Sequence, residues 1–287
     1  MSMTHHSRMS LATYMNTDSR FLAQAYSFFG ILKVSMVDCL AHPKRILSNF
    51  LVLFVRVGVM FALYAYAFKY VGRNVNGISF EIAIWSIAIY FIILATYLRY
   101  IFVDINTDVV SGKIETIVTK PVNYLLYRYA LKLGAGLGDM LFVLIAVSLI
   151  LGLTIGIPAG THDLLWVLEV ILITVLGMVI TLLMYSLIAL GSFWIDNARP
   201  FFWIVDKLVL VLGGSYVPIA LFPIAIKLFA IYSPFGASMF ATYIFNPDFA
   251  EKFVTLVGVQ VMWILVFLIL IKFVFGRAMK RLSVNGG

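Results

Sequence analysis

The chain is predicted to be an all-α integral membrane protein with six transmembrane helices, an N-terminal amphipathic interfacial helix, and re-entrant outer helices between spans five and six. Three observations predict this. Of 287 residues, 63% are hydrophobic and 12% charged, with a mean hydropathy of +1.03, whereas a soluble domain carries roughly 45–50% apolar and about 25% charged residues. Seven stretches are long and nearly free of charge, at 46–68, 82–98, 140–162, 170–195, 208–226, 228–247 and 253–271, and a span needs about 20 mostly apolar residues. Lys and Arg, 21 against 13 Asp and Glu, flank these stretches unevenly, as the cytoplasmic bias of basic loops requires.

Taken in order, residues 1–20 are polar and form a flexible N-terminus. In 21–45, Phe21, Leu22, Ala25, Phe28, Phe29, Leu32, Met36 and Leu40 recur at mainly helical spacing among Lys33, Asp38, Lys44 and Arg45. That pattern predicts a helix lying in the headgroup layer with its apolar side on acyl chains. The spanning domain occupies 46–276, and 277–287 form a tail. Span one is interrupted only by Arg56, which at 1.5 Å per residue would sit roughly 15 Å deep. A charge at that depth is a functional suspect, and Asp139 or Asp38 is its expected partner. Glu81, Asp163 and Glu169 fall near outer helix ends, and Asp206 with Lys207 is expected to pair locally.

Parity decides between six and seven crossings. Arg8, Arg20, Lys33, Lys44 and Arg45 precede the first span, and Lys272, Arg277, Lys280 and Arg281 close the chain. Two basic ends on the cytoplasmic side demand an even number. The 228–247 stretch is the weakest, because it carries Ser233, Pro234, Gly236, Ser238, Asn246 and Pro247. Broken backbone at membrane depth has to be sheltered by protein. Span five is therefore placed at 201–217, and 218–252 dips into and skirts the outer surface. Sixteen of the 21 basic residues then lie inside, Lys69, Arg73, Lys227 and Lys252 lie outside, and Arg56 is within span one.

The one sizeable cytoplasmic loop joins spans two and three, running from Asp104 to Pro121 and on to Leu133. Ser111-Gly112 interrupts the helix leaving the membrane, Pro121 stops the short helix that follows, and Asn123 can cap another, bearing Arg128 and Lys132. Lys113, Glu115 and Lys120 present charge to water while Ile114, Ile117 and Val118 offer apolar contact. A patch with an apolar centre and charged edges suits docking to a partner.

Residues Asp108-Val-Val-Ser-Gly-Lys-Ile-Glu-Thr-Ile-Val-Thr-Lys-Pro-Val-Asn-Tyr-Leu resemble the cytoplasmic loop of ABC-2-type ABC transporter permeases, the membrane subunits of bacterial exporters. The shared pattern is an acidic residue, Ser-Gly, a basic residue, an apolar residue, an acid, then a basic-Pro pair. With the architecture, the resemblance covers about 21–281. It implies a non-catalytic permease of the inner membrane that pairs with a second, identical or homologous permease and is driven by a cytoplasmic ABC ATPase dimer. Asp108, Ser111, Gly112, Lys113, Glu115, Lys120 and Pro121 would form the coupling loop. Spans two and five, with Trp85, Tyr90, Phe202 and Tyr216, would face the path or the second permease.

The residues themselves supply no catalytic set, and no enzyme activity or cofactor is expected in this chain. A phosphate-cradling loop needs Gly-x-x-x-x-Gly-Lys followed by Ser or Thr, and Gly112-Lys113 is followed by Ile114. ATP and Mg would belong to the partner. Cys39 is single and the four His are scattered, so neither an intramolecular disulfide nor a metal cluster is expected. No basic stripe stands away from the membrane flanks, which excludes nucleic acid. An ion-coupled secondary transporter remains the alternative, followed by a membrane-embedded lipid transferase and a scaffold or insertion factor. Gly134/Gly138, Gly152/Gly156 and Gly156/Gly160 carry the spacing that permits close helix packing.

Overall fold

The computed structural model describes residues 17–72, 74–75, 77–119, 122–158 and 163–285. Lys120, Pro121, His162 and the N-terminal sixteen residues lie outside that set. Helix α1 spans Thr17–Leu40 and α2 Pro43–Val71. The break between them falls at 41–42 rather than after 45, because Pro43, whose missing N–H is no loss in a first turn, starts α2. Two short antiparallel strands follow, β1 (Asn74–Val75) and β2 (Ile78–Ser79). The Asn-Gly between them is a hairpin signal that hydropathy passes over.

Helix α3 (Phe80–Leu94) starts at Ser79, whose side chain accepts from the Ile82 N–H, and is followed by a kink and α4 (Ile101–Val110). Tyr97 at the kink has φ +51°, a left-handed conformation uncommon for a bulky residue. After α5 (Lys113–Val118) comes α6 (Tyr124–Thr154). Asn123 caps α6 as expected, its side chain accepting from the Leu125 and Leu126 N–H groups at 3.0 and 3.2 Å. The amphipathic piece and span three are one continuous helix. Then follow α7 (Leu164–Leu190), α8 (Arg199–Leu212), α9 (Ile224–Tyr232), the single turn α10 (Pro234–Ala237) and α11 (Phe249–Asn285).

Among the described residues, five segments are long and apolar enough to cross a membrane: Pro43–Tyr70, Phe80–Val110, Tyr124–Thr154, Leu164–Phe193 and Phe249–Arg281. The chain is an all-α, multi-pass membrane protein. The 14-residue α8 is about 21 Å long, short of the ~30 Å hydrocarbon core.

Burial is uneven. Helix α3 is enclosed on all sides, with Ala83 to Leu94 buried. Helix α2 is buried along one stripe only, through Leu53, Val57, Tyr64 and Phe68. Gln260 of α11 joins three elements, donating to the Ile173 carbonyl of α7 at 3.0 Å and to the Ala237 carbonyl of α10 at 2.9 Å. Trp166, near the start of α7, meets the Ile244 carbonyl at 3.3 Å. Along α7 these contacts are seven residues apart, about 10 Å. The chain between α10 and α11 therefore rises from well inside the bundle to its rim.

Of the small-residue pairs, Gly134/Gly138 does pack closely. A Cβ at Gly134 would overlap the Leu32 carbonyl, and one at Gly138 would lie 3.1 Å from the Cys39 sulfur. The neighbour is α1, and the Ser35 hydroxyl donates to the Leu131 carbonyl at 2.7 Å in the same seam. Gly152 and Gly156 have open space around them.

Candidate functional site

The loop between α4 and α6 is the tip of a helical hairpin closed by charge. Asp104 and Asp108 stand one turn apart on α4, and Arg128 and Lys132 one turn apart on α6. In antiparallel register Asp104 takes Lys132 at 2.7 Å and Asp108 takes Arg128. The Tyr124 hydroxyl donates to the same Asp108 carboxylate at 2.7 Å. Asp108 is 2% exposed. It therefore braces the loop from within instead of presenting its charge at the surface. A buried carboxylate is tolerated only when paired and hydrogen-bonded, and here both conditions hold.

Above this brace the chain turns sharply. The Ser111 hydroxyl donates back to the Thr107 carbonyl at 2.6 Å, ending α4. Gly112 then adopts φ +72°, which costs glycine little and strains other residues. Helix α5 begins at Lys113, and Lys113, Glu115 and Thr116 face outward. Ile114 and Ile117 point the other way, 0% and 7% exposed. The expected apolar docking surface is corrected accordingly. These two isoleucines hold α5 onto its own hairpin, and the exposed apolar side chains beside the turn are Val110 and Val118.

A second polar cluster lies where α3, α4, α7 and α8 meet. Arg99, just past the Tyr97 kink, contacts Asp206 of α8 at 2.9 Å, and the Tyr185 hydroxyl of α7 donates to the same carboxylate oxygen at 3.4 Å. Arg99 also reaches the Tyr100 hydroxyl at 3.3 Å. A cavity of about 20 Å³ adjoins the pair, lined by Tyr90, Thr96, Thr181 and Tyr185 among others, enough for about one water. The pairing of Asp206 with Lys207 does not form. Lys207 instead sits 5.6 Å over the Trp203 ring, since neighbours in sequence point to different faces of a helix. The sequence held no sign of the Arg99–Asp206 pair, whose members are 107 residues apart.

Asp139 is also claimed from an unexpected side. It accepts from the Cys39 thiol at 3.3 Å and lies 3.8 Å from Arg45. Burial, and then the adjacent Asp139 carboxylate, push the Cys39 thiol pKa upward, so the thiol stays protonated and can donate. Arg56, expected to pair with Asp139 or Asp38, is exposed on α2 and enters none of the ion pairs among the described residues. It lies beside Val52, Val55, Val59 and Leu63, an exposed apolar stripe along the same face.

Trp85, Tyr90 and Phe202 are buried inside the subunit at 5%, 1% and 5% exposure. Of the two expected placements, facing the path or facing a second permease, burial removes these three from the outer surface that a second permease would meet. The Trp85 indole donates to the Gly156 carbonyl at 2.9 Å, Tyr90 lines the small cavity, and Phe202 stacks on Phe102 at 4.9 Å. Tyr216 is exposed, and its carbonyl accepts from the Tyr64 hydroxyl of α2 at 2.7 Å. Among the described residues no group of His, Cys, Asp and Glu could hold a metal ion. No protein-family model, curated protein or solved structure matches the chain.

Proposed function

We propose that the chain is the non-catalytic membrane subunit of an ATP-driven exporter of the ABC-2 type, moved by a separate cytoplasmic ATPase dimer that holds ATP and Mg. The observation that carries this reading is the braced loop. A short helix is held at a fixed angle by a left-handed Gly112 and by the Asp108–Arg128–Tyr124 cluster beneath it. Such a tip can transmit force, because displacing it displaces α4 and α6 together. Lys113 and Glu115 with Val110 and Val118 would be the surface that meets the ATPase.

In this reading the chain crosses the membrane six times with both termini in the cytoplasm. Helix α8 and the residues up to Tyr216 form the fifth crossing, and α9 to Asp248 form a re-entrant excursion. The Gln260 and Trp166 contacts, which set Ala237 deeper than Ile244, support the excursion. Arg56 supports pairing with a second permease. A cation about 20 Å along a 29-residue helix is costly against lipid, and a second subunit over the Val52–Leu63 stripe would cover it.

An ion-coupled carrier is the second reading, favoured by the buried Asp206 carboxylate beside a water-sized cavity. One experiment separates the two. The chain would be reconstituted in vesicles with and without the ATPase that co-purifies with it, and export of candidate amphiphiles followed under ATP or under an ion gradient. Flux that requires both ATPase and ATP supports the exporter. Flux that follows the gradient without the ATPase rejects it.

A further inference from the structure

We propose that Lys227 and Lys252 bind the phosphodiester head group of an anionic glycerophospholipid, at the membrane surface opposite the braced loop. The two ammoniums gather at one ring, 5.6 and 5.7 Å from the centroid of Tyr243. Lys252 pairs with Asp248 and donates to the Tyr243 hydroxyl at 3.3 Å, and that hydroxyl donates to Asp248 at 2.8 Å. Lys227 enters none of the ion pairs among the described residues. The Lys252 ammonium repels it, and it shares the attraction of the Asp248 carboxylate with Lys252. Glu251, beside Lys252 in sequence, is exposed and also enters none of those ion pairs, so it supplies no second carboxylate. Two cations face one anion. Partly screened from water, that excess charge is felt more strongly than on an open surface, and a bound anion would offset it.

Position and charge identify the occupant. At the loop end of α11, the Phe275 ring stacks on Tyr124 of the brace at 6.3 Å. Lys252 lies 23 residues earlier on the same helix, about 35 Å away at 1.5 Å per residue. The hydrocarbon core is ~30 Å thick, so the cluster stands at the level of the lipid phosphates on the far side. Helix α9 turns the wrong way round for a helix washed by water. Lys227 shares an i, i+3, i+4 face with the buried Ala230 and Ile231, while Ile224, Ile226, Leu228 and Phe229 are exposed. The cation therefore points into the cluster, and the apolar side chains line the place where acyl chains would lie. Lys227, Asp248 and Lys252 are each partly exposed, so the cluster is open to a ligand. A phosphodiester brings one negative charge, which balances the set, and accepts strong charge-assisted hydrogen bonds from ammoniums. A zwitterionic head group would add a third cation, and free phosphate has no chain to cover α9. The site requires neither the ATPase nor a second permease.

The test titrates the full chain in detergent with phosphatidylglycerol or phosphatidylethanolamine and follows the first bound lipid by native mass spectrometry. Phosphatidylglycerol should bind the wild type clearly more tightly, and an excess of inorganic phosphate should not displace it. In vesicles, phosphatidylglycerol with a photoreactive acyl chain should label 224–232 above other exposed apolar faces, such as 164–172 of α7. Lys227→Gln should weaken phosphatidylglycerol binding roughly tenfold, equivalent to ~1.4 kcal/mol, and bring it level with phosphatidylethanolamine. Lys227→Arg, which keeps the charge, should retain most of the preference. Lys69→Gln removes an exposed cation outside the cluster and should change nothing. Equal binding of the two lipids by the wild type, or labelling spread evenly over exposed faces, would overturn the proposal without recourse to a variant. So would unchanged binding in Lys227→Gln, an equal loss in Lys69→Gln, or displacement of the lipid by inorganic phosphate, which would mark a site for a free anion.

Discussion

Asp108 and Arg128, twenty residues apart, form an ion pair directly beneath the Ser111-Gly112 turn. The contact makes a loop that is exposed at its tip rigid at its base. Removing one partner leaves the other charge buried and uncompensated, at a cost of about 3–5 kcal/mol. Asp108→Ala should lower the thermal midpoint of the detergent-purified protein clearly. Arg128→Ala added to it should cost much less than the two single losses combined, because contacting residues are not additive. Additive losses would show that the pair does not brace the hairpin.

At Gly112 a Cβ meets no neighbour, so Gly112→Val tests backbone conformation alone. A β-branched residue at φ +72° is strained by about 1–3 kcal/mol. The variant should insert normally yet associate weakly with the ATPase, or hydrolyse ATP without export. Glu115→Arg and Val118→Asp should do the same from the exposed surface. Wild-type association and full coupling in all three would remove the loop from energy coupling.

The Arg99–Asp206 pair predicts an asymmetry between single and double variants. Arg99→Met strands a buried carboxylate, whereas Arg99→Met with Asp206→Leu replaces both charges by apolar groups, a change that is often neutral. Thermal unfolding should therefore place the single variant below the double. The reverse order would mean that solvent reaches Asp206 freely.

At the opposite rim, Asp248 pairs with Lys252 and accepts from the Tyr243 hydroxyl at 2.8 Å. Partial burial raises its pKa, but the hydrogen bonds from Lys252 and Tyr243 outweigh burial and hold it below the usual carboxylate value. A depressed folded pKa stabilises above the unfolded value of about 3.9, and the stabilisation is lost as pH falls through the folded value. The wild type should lose thermal stability relative to Asp248→Asn on acidification below about pH 4. A difference between the two that does not change with pH would exclude the ionised pair.

Orientation is open to labelling in a Cys39→Ser background. Ser111→Cys and Arg281→Cys should react from one side of the membrane, and Asp163→Cys, before α7, from the other. Reaction of Ser111→Cys and Arg281→Cys from opposite sides would reject an even number of crossings.

The sequence by itself determined the solvent, the helical class, most of the spanning stretches, the Asn123 cap and the Ser111-Gly112 turn. All of these follow from composition, local hydropathy or the preferences of single residues, which act over a few positions along the chain. It could not determine which faces turn inward. The spacing of Ile114 and Ile117 reads as a docking surface, and the fold buries both against the hairpin instead. Asp139 and Asp206 find their partners, Cys39 and Arg99, 100 and 107 residues away. In a membrane protein apolar side chains face both lipid and core, so hydropathy loses the inside–outside signal that it carries in water. Only the packing of α1 on α6, of α4 on α6 and of α8 against the Tyr97 kink decided those pairings. A buried charge must be neutralised by whatever charge the tertiary fold brings within reach.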